Sequence, residues 1–133
     1  IYLKTIYKVL TQCYYMKNNR NNREIKIPVL NNEYYVIVCW GDKPFVKRVL
    51  RKYEHKFTEE DFDWSKYSGR FFSDPCRYGV IVLPRKPKTA EEFGTLAHES
   101  VHAVKDIFDH IEEKSIDEVF AHSVGAIVRE ALN

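Results

Sequence analysis

Ile25, Ile27 and Val29 alternate with polar positions, the period-2 pattern of a strand with one buried face. Asn31-Asn32 follows, a pair that tolerates positive φ, and Tyr34 to Trp40 is then almost continuously apolar. This predicts a hairpin whose second strand lies inside the sheet, covered on both faces. Gly41-Asp42-Lys43-Pro44 breaks the run. Beyond it the period changes. Phe45, Val46, Val49, Leu50 and Tyr53 form one stripe, and Lys47, Arg48, Arg51 and Lys52 another, so a helix is expected over 44–53 with a solvated cationic face. A short helix is expected within 58–67 and a brief strand from Arg70 to Ser73. After an Asp74-Pro75 turn, Tyr78 to Leu83 (YGVIVL) reads as a strand ended by Pro84.

The last third reads as two helices. Thr89 with Glu92 three residues on makes a capping box for a helix reaching about His110, and Ser115 with Glu118 makes another for a helix reaching about Leu132. The expected inner stripes are Ala97, Val101, Val104, Phe108 and Ile111 on the first helix. On the second they are Ile116, Phe120, Val124, Ile127, Val128 and Ala131. At the other end, Leu3, Ile6, Tyr7, Leu10, Cys13 and Tyr14 recur at helical spacing before the polar tract KNNRNNR at 17–23. The organisation expected is therefore an N-terminal helix and Asn-rich linker over 1–23, then a single domain over 24–133. That domain is α+β: a short β-sheet followed by a helical C-terminal third.

Composition narrows the class. With 44% apolar and 30% charged residues among 133, the chain can bury a core. A net charge of +2 gives no strong nucleic-acid signal, and no apolar run reaches the roughly 20 residues of a membrane span. Binding of nucleic acid through Lys17 to Arg23 and the basic helix 44–53 is a minor alternative. Cys13, Cys39 and Cys76 are odd in number and widely spaced, which suits buried thiols in a reducing compartment and points to the cytoplasm.

The chemistry lies in Ala97-His98-Glu99-Ser100-Val101-His102. Two histidines four apart on a helix project from the same side, one turn (about 5.4 Å) apart. Both imidazoles can then reach one zinc ion at about 2.0–2.1 Å. Glu99 on the adjoining face can reach a water on that metal and act as general base. A chance HExxH has a probability of about 2% in a chain of this composition, so the context carries the weight: a capped helix following a strand. His98, His102 and Asp109 fall on one stripe, with Gly94 a turn before His98, leaving room for a substrate or a closely packed helix.

A third ligand is required. Glu118 is the candidate, in line with His122, Gly125 and Arg129 and away from its helix's apolar stripe, although its capping-box role with Ser115 competes. Asp106 and Asp109 are rivals that a straight helix carries away from the metal. His122, one turn after Glu118, could orient that carboxylate, stabilise an oxyanion or have no role. His55 and His110 have no companion at ligand spacing and are expected to be exposed.

The segment LAHESVHA followed by DEVFAHSVGAIV resembles the zincin metallopeptidases of the gluzincin pattern, in which HExxH is joined by a Glu on the next helix. The stretch YGVIVLPRKPK ahead of it is similar to short zincin-like proteins of phages and bacteria. The similarity covers about residues 70–132. It implies a small zincin-like domain with His98, His102 and Glu118 as zinc ligands and Glu99 as base. It also implies Tyr78–Leu83 as the edge along which a peptide substrate lies. A peptide or protein is then the expected substrate or partner, and the cytoplasm, or the host's cytoplasm for a phage-encoded chain, the expected location. Many zincins draw an oxyanion-stabilising Tyr or His from a further C-terminal region. Here His122 or an N-terminal Tyr would have to substitute. The alternative reading is a zincin-fold binding or inhibitor protein that docks on a partner without turnover.

Overall fold

The computed structural model describes residues 21–30, 34–73, 78–110 and 117–133, and of Asp117 and Glu118 the backbone alone. The expected leading helix, most of the Asn-rich tract, the Asn31-Asn32 and Asp74-Pro75 turns, Cys13, Cys76 and the Ser115 cap lie outside these residues.

The described chain is an α+β domain of four strands and three α-helices. In order they are β1 (Arg23–Val29), β2 (Tyr34–Trp40), α1 (Lys43–Lys52), β3 (Arg70–Phe72), β4 (Tyr78–Leu83), α2 (Ala90–His110) and α3 (Asp117–Leu132). The sheet order is β1-β2-β4-β3. β1 and β2 pair antiparallel as the hairpin pattern predicts, with Ile27 opposite Val36. Pro28, which has no N–H to donate, is tolerated because β1 is an edge strand. β2 and β4 run parallel, Ile37 beside Val80.

The continuously apolar strands are the inner ones because both of their faces are covered. Val36, Val38 and Trp40 of β2 and Ile81 and Leu83 of β4 join the core beneath α2 and α3. Ile37, Cys39, Val80 and Val82 join a second core beneath α1. Helix α1 starts where Asp42 accepts from the Phe45 amide at 2.8 Å, with Pro44 in the first turn. The expected short helix at 58–67 is a single 3-10 turn, Glu59–Phe62, held by a Thr58–Asp61 capping box. Helix α2 has its predicted cap: the Thr89 hydroxyl accepts from the Glu92 amide and the Glu92 carboxylate accepts from the Thr89 amide, both at 3.2 Å.

Two expectations are overturned. On α2, Val104 and Phe108 are buried as expected, but Leu96, Ser100, Ala103 and Ile107 complete the inner stripe, Val101 is 40% exposed, and Ile111 lies outside the described residues. The helix is rotated from the apolar stripe because Ser100 buries at no cost in unpaired groups, its hydroxyl donating to the Leu96 carbonyl at 2.7 Å. Nor is Tyr78–Leu83 an edge. β3 pairs antiparallel along it, Phe71 opposite Ile81, so β4 is enclosed on both sides and β3 ends the sheet. A strand this apolar leaves less surface exposed when both neighbours are present. On α3 the predicted stripe holds: Ile127 and Ala131 are buried and Phe120, Val124 and Val128 pack on the same core. No helix among the described residues is long and apolar enough to cross a membrane.

Candidate metal-binding and catalytic site

Helix α2 lies with Leu96, Ser100 and Ala103 against the sheet, so residues half a turn away face outward. His98, His102, Asp109 and Gly94 are all exposed, as their common stripe predicts. A Cβ on Gly94 would meet nothing within 4 Å among the described residues. The two imidazoles meet at the helix surface. Their Nε2 atoms are 3.1 Å apart, with ring centroids 4.7 Å apart and planes at 79°. A point about 2.0–2.1 Å from both nitrogens sees them at an angle of about 100°, close to tetrahedral. The same 3.1 Å is the length of an N–H···N hydrogen bond between the rings, and it is a separation at which both nitrogens could reach one zinc ion.

Glu99 is turned one position around the helix, toward β3. Together with His102 and Asp106 it lines one wall of a groove of about 520 Å³, and Tyr67, Gly69 and Arg70 line the other. The walls stand close because residue 69 has no side chain: a Cβ there would lie 2.9 Å from Thr95 Cγ2 and 3.1 Å from Leu83 Cδ2. Asp106 is engaged across the groove, accepting from the Ser73 hydroxyl at 2.7 Å.

The remaining site residues are on α3. Glu118 belongs to its first turn. Across the helix pair, Phe120 packs edge-on against Phe108 with centroids 5.6 Å apart. His122 is exposed and is not part of the groove wall. Among the described residues no three His, Cys, Asp or Glu side chains converge on one point.

Two groove residues had no signal in the sequence. Arg70 bonds Asp61 Oδ1 at 2.7 Å and lies 4.2 Å from the centre of the Tyr67 ring. Its Nε is buried without a hydrogen-bond partner among the described residues. These residues face Glu99 only because the sheet brings β3 beside α2, a relation that no local spacing encodes. His55, expected to be exposed, is half-buried instead, with its ring Nε2 2.8 Å from the Tyr78 carbonyl oxygen.

No protein-family model matches the chain, and no curated protein or solved structure matches it.

Proposed function

We propose that the protein is a zinc-dependent peptidase of the zincin type, and the observation that carries this is the 3.1 Å Nε2–Nε2 approach of His98 and His102 beside the groove that Glu99 lines. His98, His102 and Glu118 would hold the ion. When bound, zinc supplies Lewis acidity, lowering the pKa of a water and polarising a carbonyl.

The protein's own residues supply the rest. Glu99 takes the proton of the attacking water and delivers it to the leaving amine. The end strand β3, Arg70–Phe72, offers backbone groups to an extended peptide along the groove. Arg70 is our candidate for stabilising oxyanion charge. The support is its place in the groove lining with Glu99 and its anchorage by Asp61 and Tyr67. His122, one turn from Glu118, would then orient that carboxylate. The cytoplasm of a cell or of a phage's host suits this reading. Cys39 is a free thiol, and burial, with the charge of Glu24, pushes its pKa up to about 12, so it is inert.

The test is metal content of the purified protein beside two variants. The expected result is zinc at about one per chain, lost in His98→Ala and retained in Glu99→Gln, with hydrolysis of a peptide library abolished in both. Cleavage that survives Glu99→Gln would remove the assignment. The second reading is a zincin-like docking protein without turnover. It predicts no hydrolysis by the wild type even when zinc is bound.

A further inference from the structure

The opposite face of the sheet carries a feature that peptidase chemistry does not use. Tyr35 of β2 and Tyr78 of β4 are neighbours in the parallel register, and their rings stack 5.7 Å apart at 18°. Tyr53, the C-cap of α1, leans on Tyr78 at 5.3 Å. All three rings are half-buried. Tyr53 and Tyr78 open on a groove of about 1040 Å³ that Lys26, Lys52, Lys56 and Phe72 also line. Lys26 Nζ lies 4.2 Å from the Tyr35 ring centre and 5.1 Å from that of Tyr78.

The shelf is held in place. Glu54 takes a left-handed φ of 63°, and the His55 amide returns to the Leu50 carbonyl at 2.9 Å, ending α1 so that Tyr53 faces β4. The His55 ring, 2.8 Å from the Tyr78 carbonyl oxygen, ties the same turn to β4.

The groove is lined by Lys26, Lys52 and Lys56 against Glu24 and Glu54, an excess of one positive charge, and the outer face of α1 adds Arg48 and Arg51. Lys52 is neutralised by Glu24 at 2.9 Å. Lys26 and Lys56 in the groove, and Arg48 and Arg51 on the outer face of α1, have no ion pair among the described residues, and Glu54 is the carboxylate set against them. Lys26 rests on the Tyr35 and Tyr78 rings and Arg51 lies 5.3 Å from the centre of the Phe57 ring, contacts that a phosphate would compete for. Aromatic rings flanked by cations are the two elements that hold unpaired bases and their phosphates. Helix 44–53 ends beside the aromatic rings of this shelf. The far end of the Asn-rich tract, Asn21 and Arg23, lines a different pocket with Lys86 and Lys88.

We propose that this shelf binds single-stranded nucleic acid, with bases against Tyr53 and Tyr78 and phosphates on Lys26, Lys56 and Arg51. A duplex keeps its base faces stacked and offers only the phosphate contacts. An acidic peptide could use the cations but has no comparable use for the rings.

The experiment is fluorescence anisotropy of the full chain with a labelled oligothymidine of about 12 nucleotides. Binding is expected to weaken about 10- to 20-fold between roughly 50 and 200 mM salt, as about three phosphate contacts require. Tyr53→Ala should weaken it about tenfold while Tyr53→Phe keeps it, and Lys26→Glu, at an exposed strand position, should weaken it at least as much. Circular dichroism checks that each variant folds, and Lys26→Glu decides the matter if Tyr53→Ala does not fold. No anisotropy change at about 100 µM protein at the lower salt would overturn the proposal. So would binding indifferent to both variants, or competition by polyglutamate as effective as by the unlabelled oligonucleotide.

Discussion

On one side of the sheet, two long helices cover Val36, Val38, Ile81 and Leu83, and on the other a single short helix covers Ile37, Cys39, Val80 and Val82. The first side buries so much that α2 can turn a complete face to solvent, and that face holds His98 and His102. The second side is only partly covered, and the uncovered part is where Tyr35, Tyr53 and Tyr78 stand half-exposed. The two sites differ in how they are assembled. The histidine pair belongs to one helical turn and survives any arrangement that keeps α2 helical. The tyrosine shelf takes its residues from β2, α1 and β4 and exists only if those elements pack as they do. A local site is robust and readable; a composite one is neither.

That contrast can be broken at several points. The largest effect is expected for the one proposed zinc ligand that does not belong to α2. Glu118→Ala should weaken zinc binding, read by competition with a chromophoric chelator, beyond the about 10- to 100-fold typical of losing an outer-shell partner. Asp106→Asn should leave it unchanged, because that carboxylate is engaged with Ser73. The reverse result would make the metal site wholly local to α2.

Next comes the rotation of α2. Leu96, fully buried, should cost about 2–5 kcal/mol on truncation to Ala, and Val101, 40% exposed, within about 0.5 kcal/mol, both from urea unfolding. Equal losses would restore the stripe that hydrophobic spacing predicts. Gly69→Ala should destabilise by about 1–3 kcal/mol, because a new Cβ would press on Thr95 and Leu83 between the groove walls. A neutral result would show that β3 can move away from α2 freely.

The smallest effect concerns the cap of α2. Thr89→Ala should cost about 1 kcal/mol in thermal unfolding. The Arg85 guanidinium, followed by the Thr89 hydroxyl and amide, holds the Glu92 carboxyl down at about 2 from an ordinary 4.5. A group with a depressed folded-state pKa contributes stability above its unfolded value, and the contribution is lost as pH falls from about 4.5 toward about 2. Glu92→Gln should flatten the stability–pH curve over that interval, and an unchanged curve would exclude the linkage.

Much of the fold was legible. The hairpin, the inner position of Tyr34–Trp40, the strand at Tyr78–Leu83, both C-terminal helices and the Thr89–Glu92 box follow from periods and caps that act within a few residues. What misled was apolar counting on α2. Val101 outranks Ser100 in hydrophobicity, yet Ser100 is the buried one because its hydroxyl finds a backbone carbonyl in its own helix. The identity of the end strand was also hidden, since Arg70–Phe72 is too short for its three residues to announce a pairing. With it went the presence of Arg70 and Tyr67 opposite Glu99.

The amino-acid sequence alone determined that a helix presents His98 and His102 to one side with Glu99 beside them, because helical spacing is a property of neighbours along the chain. Only the tertiary structure decided which face of that helix is buried, that β3 stands against Glu99, and that Tyr35, Tyr53 and Tyr78 from separate elements meet. Those outcomes depend on which surfaces lose the most apolar area together, and that is a property of the whole packed set.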